Sequence, residues 1–243
     1  MIYITGDTHG EHGRMRIIFS NSGISWTAAD YIVICGDFGY VSTKNDTFLD
    51  EMDVLGATIL FIDGNHENFD LLNSFPVEIW NGGKVHRVRK SIIHLMRSQV
   101  FKIDDTTIFT LGGGYSFDKY IRQENVSWWA CEMPSPEEYD EAIENLIKHD
   151  NKVDYIITHT APGETIAKLM LKDKKSLSVL HPKEQPLNTF FDYINDFISY
   201  KHWYFGHFHL DSYIWRNQTA LSHSIIKLGD CGAEPYKSHD HKN

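Results

Sequence analysis

Only three cysteines occur in 243 residues, Cys35, Cys131 and Cys231, widely spaced and with no Cys-x-x-Cys pair. So sparse and odd a set excludes a disulfide framework and fits a reducing compartment. Long apolar runs are also missing. Those near residues 31–35 and 58–62 fall far short of the roughly 20 residues a membrane-spanning helix needs. The opening Met1-Ile2-Tyr3-Ile4-Thr5-Gly6-Asp7 has no basic region and turns polar at once, so it does not read as a signal peptide. A cytoplasmic protein with no membrane partner is expected. Basic charge is scarce as well: 23 Lys and Arg stand against 33 Asp and Glu, a net charge of −10. That balance gives no general attraction to nucleic-acid phosphates, so broad nucleic-acid binding is not expected. A nuclease is not excluded, because bound divalent ions would change the local field. No internal repeat, low-complexity tract or composition break divides the chain. One domain over residues 1–237 is expected, with 238–243 as a frayed tail. Oligomeric state is not readable.

What is present is an ordinary globular composition, 42% hydrophobic and 23% charged, with an unusual 14 histidines. Histidine in such number directs attention to metal or acid–base chemistry. Short β-branched runs recur and end in glycine and polar residues. Ile2-Tyr3-Ile4 leads to Gly6-Asp7, 31–35 to Gly36-Asp37, and 58–62 to Gly64-Asn65-His66. Residues 153–157 lead to Thr158-His159, and 202–205 to Gly206-His207. Near-continuous apolar runs of this length suggest strands buried on both faces. Helical stretches near 14–20 and 45–55 separate the first three, giving βαβαβ and a mainly parallel sheet. All five polar endings would then gather beyond the carboxyl edge, with the glycines permitting the turns.

A second set of runs, near 84–89, 100–104, 107–112 and 224–228, has shorter connections and reads as antiparallel. Two sheets packed face to face are therefore expected, in an α/β fold arranged as a four-layer α/β/β/α sandwich of two mixed sheets. Ser135-Pro136-Glu137-Glu138 opens a helix with a capping box and proline in its first turn. Tyr139, Ile143, Leu146 and Ile147 form its apolar stripe, and another helix is expected near 187–199.

Five segments combine metal-competent side chains with these endings: Gly6-Asp7-Thr8-His9-Gly10, Gly36-Asp37, Gly64-Asn65-His66-Glu67, Thr158-His159 and Gly206-His207-Phe208-His209. Composition alone predicts each of the three richest patterns fewer than about 0.1 times. Their order resembles that of the calcineurin-like metallophosphoesterases, and the resemblance covers most of the chain. It implies that Asp7, His9, Asp37 and His209 hold one metal ion. Asp37, Asn65, His159 and His207 would hold a second, with Asp37 bridging. His66 would be the general acid, with Asp37 and Asn65 completing the catalytic set. The implied reaction is hydrolysis of a phosphate monoester or diester by in-line attack of a metal-bound hydroxide. Two dications can share such a nucleophile and clamp a phosphoryl oxygen. Donors of only N and O type favour Mn, Fe or Zn.

Singly, each residue has a plainer use. Asp7 and Asp37 suit turns or helix N-caps, Asn65 a left-handed turn, His159 a hydrogen-bonded, partly buried place, and His207 and His209 a polar rim at a strand end. Arg14 and Arg122, and less so Arg16, are candidate contacts to substrate phosphate, as is Asn65. Glu67 either orients His66 or begins the next turn, the latter preferred. Asp63 shapes a turn. Residues 112–118 read as a flexible rim, and Trp128-Trp129 as an aromatic wall or as packing.

The second block continues as Gly36-Asp37-Phe38-Gly39-Tyr40, where many relatives carry Gly-Asp-x-x-Asp and the protein Ser/Thr phosphatases add an arginine. The carboxylate that often steadies the catalytic histidine is absent, which argues against a typical Ser/Thr protein phosphatase. The expected substrate is a phosphorylated small molecule, nucleotide or phosphoprotein. The rival readings are a nucleotide phosphodiesterase specifically, or a non-catalytic partner-binding scaffold on the same fold.

Overall fold

Within the strands, neighbouring side chains go to different cores, and this alternation sets the layering. Ile32, Ile34, Ile59 and Phe61 join one buried cluster, while Val33 and Leu60 between them join another. Likewise Ile156, Trp203 and Phe205 lie in a third cluster, with Ile157 and Tyr204 in the second. Three cores between successive layers make the four-layer sandwich expected. Each fully buried large apolar side chain contributes about 1.5–3 kcal/mol.

The computed structural model describes residues 1–21, 23–43, 46–172 and 181–231, so the expected tail at 238–243 lies outside the described residues. The first half runs β1 (Ile2–Thr5), α1 (His12–Asn21), β2 (Tyr31–Ile34), α2 (Thr47–Met52), β3 (Thr58–Phe61) and α3 (Phe69–Leu72). It continues through β4 (Val77–Trp80), β5 (Gly83–Arg89), β6 (Ile92–Leu95), β7 (Gln99–Ile103) and β8 (Thr106–Leu111). The second half holds α4 (Pro136–Lys148), β9 (Tyr155–Thr158), α5 (Gly163–Lys172), α6 (Gln185–Phe197), β10 (His202–Phe205), β11 (Ser212–Trp215), β12 (Gln218–Ala220) and β13 (Ile225–Lys227). One sheet has the order β13-β1-β2-β3-β6-β5-β4, the other β11-β12-β10-β9-β8-β7. Strands β1, β2, β3 and β6 are parallel, as are β8, β9, β10 and β12; the remaining pairs are antiparallel. Helices α1 and α2 cover the first sheet, and α4, α5 and α6 the second.

Two sequence expectations are corrected here. The five runs with polar endings do not share a sheet: three lie in the first and two, β9 and β10, in the second. The runs at 84–89 and 224–228 join the first sheet as antiparallel strands, not the second. Strand periodicity specifies burial on both faces, but not which sheet a strand enters. Helix α4 has the expected capping box, with the Ser135 amide donating to Glu138 Oε2 at 2.7 Å and the Glu138 amide to Ser135 Oγ at 3.3 Å. Ala142 and Leu146 are its buried residues, whereas Ile147 is exposed.

Candidate metal centre

Register puts the glycine blocks at one end of the molecule. Thr5, Ile34 and Phe61 stand level across the first sheet, and Leu111, Thr158 and Phe205 across the second. The chain leaving these residues carries the candidate ligands, and hydrogen bonds join the blocks. The amides of Thr8 and His9 donate to the Asp37 carbonyl at 3.1 and 2.7 Å. The His66 amide donates to Asp37 Oδ1 at 2.8 Å. Between the sheets, the His207 amide donates to both Asp7 oxygens at 3.0 and 3.1 Å, and His159 Nδ1 to the Cys35 carbonyl at 2.8 Å.

The glycines do something the sequence did not disclose. At Gly64 an added Cβ would lie 2.1 Å from Asp37 Oδ1, and at Gly206 one would lie 2.1 Å from Asp7 Oδ1. Neither has positive φ. Their smoothness makes room for carboxylates from other blocks, and the left-handed turns fall elsewhere. His9, Asp37, His207 and His209 themselves adopt φ values of 49°, 48°, 65° and 49°. Non-glycine residues held there cost of order 1–3 kcal/mol each, a strain that clusters at functional sites.

The side chains converge in two groups. Asp7, His9 and His209 offer ligand atoms within 4.8 Å of one another, as do Asp7, Asp37 and His159. Asp7 is common to both groups, and Asp37, in the second, has Oδ2 3.7 Å from His9 Nδ1 and Oδ1 3.5 Å from His159 Nε2. Asn65 Oδ1 lies 3.0 Å from His159 Nε2, and His9 Nε2 lies 3.0 Å from His209 Nε2. Burial, aided by the charge of Asp37, raises Asp7 to about 7. Burial alone would raise Asp37 too, but His159, His66 and His9 hold it below the usual carboxylate range. Burial lowers His9 and His209, and takes His207 down to about 3 with help from His159. Neutral imidazole is the ligating form, so lone pairs are ready at these positions.

These donors fit a cation. His159 spends its Nδ1 proton on the Cys35 carbonyl, leaving the Nε2 lone pair facing Asn65 Oδ1. Asn65 is turned that way because its Nδ2 donates to Ser116 Oγ at 3.0 Å. Two lone pairs at this distance need positive charge between them. The pocket favours such charge at His159: burial lowers its pKa, but Asp37 and Asp7 raise it further. His207 Nε2 is buried with no hydrogen-bond partner.

A cleft of about 250 Å³ opens on this cluster, lined by Asp37, Asn65, His66, Phe117, Asp118, His207 and His209. Burial lowers His66, partly offset by Asp37 and Asp118. Of the two candidate arginines, Arg122 donates through Nε to Asp118 Oδ1 at 2.6 Å, one residue back from the cleft lining. Arg14 is buried and donates to the carbonyls of Ser222 and His223 at 2.6 and 2.9 Å and to Thr5 Oγ1 at 2.9 Å, tying residues 222–223 to β1. Arg16 is exposed at 3.8 Å from Glu51.

Several residues around the centre take roles other than those expected from the sequence. Glu67 does not merely start a turn: its buried carboxylate accepts the amides of Phe38 at 2.7 Å and Gly39 at 3.3 Å, bracing the loop after Asp37. The expected flexible rim at 112–118 is largely buried and pinned. Gly113 donates to the Asp63 carbonyl, Tyr115 to Glu184 Oε1, and Ser116 to Glu132 Oε1. Trp129 is packed, its indole donating to Asp70 Oδ2 at 2.9 Å. Nothing in the spacing of Glu184 marked it; only its burial does.

A family model described as calcineurin-like phosphoesterase matches residues 1–211. No curated protein matches the chain. Among the described residues, no helix is long and apolar enough to cross a membrane.

Proposed function

Because the chain belongs to the calcineurin-like phosphoesterases, hydrolases that act on phosphoester bonds and typically use a dinuclear metal site, we propose that it cleaves a phosphate monoester or diester with His66 as proton donor. One metal ion would be held by Asp7, His9, Asp37 and His209, and the second by Asp37, Asn65, His159 and His207. The convergence of His159 Nε2 and Asn65 Oδ1 at 3.0 Å carries this reading. When bound, the ions supply Lewis-acid polarisation of the phosphoryl oxygen and a strong nucleophile at neutral pH.

The protein's own groups do the rest. Asp37 is fixed by the His66 amide, so its two oxygens keep their separate directions. His66 lines the cleft, where its imidazolium can protonate the departing oxygen. Burial that lowers its pKa makes it a stronger acid toward an alkoxide. Asn65, oriented by Ser116, would offer Oδ1 to the second ion and its remaining Nδ2 proton to a phosphoryl oxygen, and Arg122 extends the anion site behind Asp118. An all N and O donor set favours Mn, Fe or Zn. The substrate is a phosphorylated small molecule, nucleotide or phosphoprotein.

Protein loaded with Mn or Fe is assayed on p-nitrophenyl phosphate and on its bis-ester, with metal content measured in parallel. Hydrolysis of either is expected, and the ratio of rates assigns mono- or diesterase character. His66→Ala should lower kcat about 10²–10⁴-fold with both ions retained. Metal-loaded protein inactive on both esters would sink the enzyme reading and favour a partner-binding scaffold.

A further inference from the structure

Two buried polar atoms beside the centre lack hydrogen-bond partners: His207 Nε2 and Glu184 Oε2. They belong to facing side chains, with Glu184 Oε1 3.5 Å from His207 Nε2. Glu184 is fully buried and stands immediately before α6, yet its carboxylate does not cap that helix. It turns inward, and Oε1 accepts the Tyr115 amide at 3.0 Å. Space around Gly114 shows where it has gone. A Cβ on that glycine would lie 3.1 Å from His159 Cδ2, 3.4 Å from Asn65 Oδ1 and 3.5 Å from Glu184 Oε1. The carboxylate therefore shares one small volume with His159, Asn65 and His207.

A buried carboxylate needs a compensating cation or a full set of donors. Among the described residues no lysine or arginine pairs with Glu184: burial raises it to about 7, and only the Tyr115 amide on Oε1, the charge of His159 and the Asn188 side chain oppose that rise. His207 Nε2 lies 3.5 Å from Oε1 and makes no hydrogen bond to Oε2. A metal ion between them would satisfy both orphaned atoms together.

We propose that Glu184 is a further ligand of the second metal ion, binding through Oε2 beside Asp37, Asn65, His159 and His207; this rests on reading the cluster as a dinuclear centre. Tyr115 positions the carboxylate by holding its other oxygen. A fifth, anionic oxygen ligand raises the coordination number and favours Mn or Fe over Zn, which settles readily at four.

The test compares wild type, Glu184→Gln and Glu184→Ala by calorimetric titration with Mn alone, with bound metal counted by mass spectrometry. Glutamine keeps the shape and can still accept the Tyr115 amide, so loss of fold and loss of ligand separate. Wild type should take two ions, and Glu184→Gln should keep the first while binding the second at least about 10-fold more weakly. Unchanged affinity for both ions in Glu184→Gln would overturn the proposal and leave Glu184 a support for the Tyr115 loop. Wild type taking fewer than two ions would instead overturn the dinuclear reading and this proposal with it. A second readout needs no variant. Anomalous scattering from Mn-loaded wild-type crystals should place an ion within about 2.5 Å of Glu184 Oε2, and an ion beyond hydrogen-bonding range of that atom would refute the assignment.

Discussion

Gly206 precedes two candidate ligands, but its own contribution is the methyl group it lacks. A Cβ there would occupy the position of Asp7 Oδ1, 2.1 Å away, and would also press on the Cys35 carbonyl at 2.6 Å. Gly206→Ala is therefore expected to displace the Asp7 carboxylate, weaken metal binding at least about 10-fold and cost about 1–3 kcal/mol through overpacking. Gly13 in α1 provides the control, since nothing lies within 4 Å of its added Cβ and its φ is not positive. Gly13→Ala should be neutral or stabilise by about 0.5–1 kcal/mol. Chemical denaturation and metal titration of both variants check this, and normal metal binding by Gly206→Ala would refute the clearance argument.

At the scale of elements, one buried ion-pair network holds the end of β3 against its neighbours. Arg97 donates to Asp63 Oδ2 at 2.8 Å, to Glu138 Oε2 at 3.1 Å, and to the Cys131 and Glu132 carbonyls at 3.0 Å each. The Asp63 carbonyl in turn receives Gly113. The start of α4, the segment before it and the loop after β8 are thus fastened to the residue that precedes Gly64-Asn65-His66. Burial alone would raise the Asp63 carboxyl, but Arg97 and His94 hold it well below the ordinary range. Its stabilisation is present above the unfolded value near 3.8 and is lost as pH falls through the lower folded value. Asp63→Asn leaves Arg97 short of its main counter-charge, and a loss of about 3–5 kcal/mol is expected in urea unfolding at neutral pH. A loss below about 1 kcal/mol would show that Glu138 and the carbonyls suffice.

For the whole molecule, two histidines outside the candidate ligand set link stability to pH. His202 bonds Thr219 Oγ1 at 2.8 Å, and burial lowers it to about 4. His86 is lowered to about 4 by burial and by His94. Because each folded pKa lies below the usual 6.5, the fold favours the neutral ring. Their stabilisation is complete above pH 6.5 and is lost as pH falls toward 4. The urea midpoint of metal-free protein should decline over that window. In His202→Asn, which keeps a polar partner for Thr219, the decline should be shallower. Parallel curves for the two proteins would exclude His202 as a contributor.

How far the chain could be read from its residues differs from part to part. Strands β1, β2, β3, β9 and β10, the capping box of α4 and the glycine-linked ligand blocks are local patterns, and local patterns are written directly in side-chain order. The sheet that each strand joins depends on pairings between distant segments, so the antiparallel character of the runs at 84–89 and 224–228 is legible in the sequence but their place in the first sheet is not. Roles arising from empty space or from burial were invisible for a related reason. The clearance at Gly64 and Gly206, the brace from Glu67, the Arg97 network and the buried carboxylate of Glu184 exist only once remote segments approach within a few ångströms. Sequence alone determined the layered α/β architecture and the donors available to a metal. Tertiary structure decided which of those donor atoms face one another, because that depends on distances between segments as much as 200 residues apart in the chain.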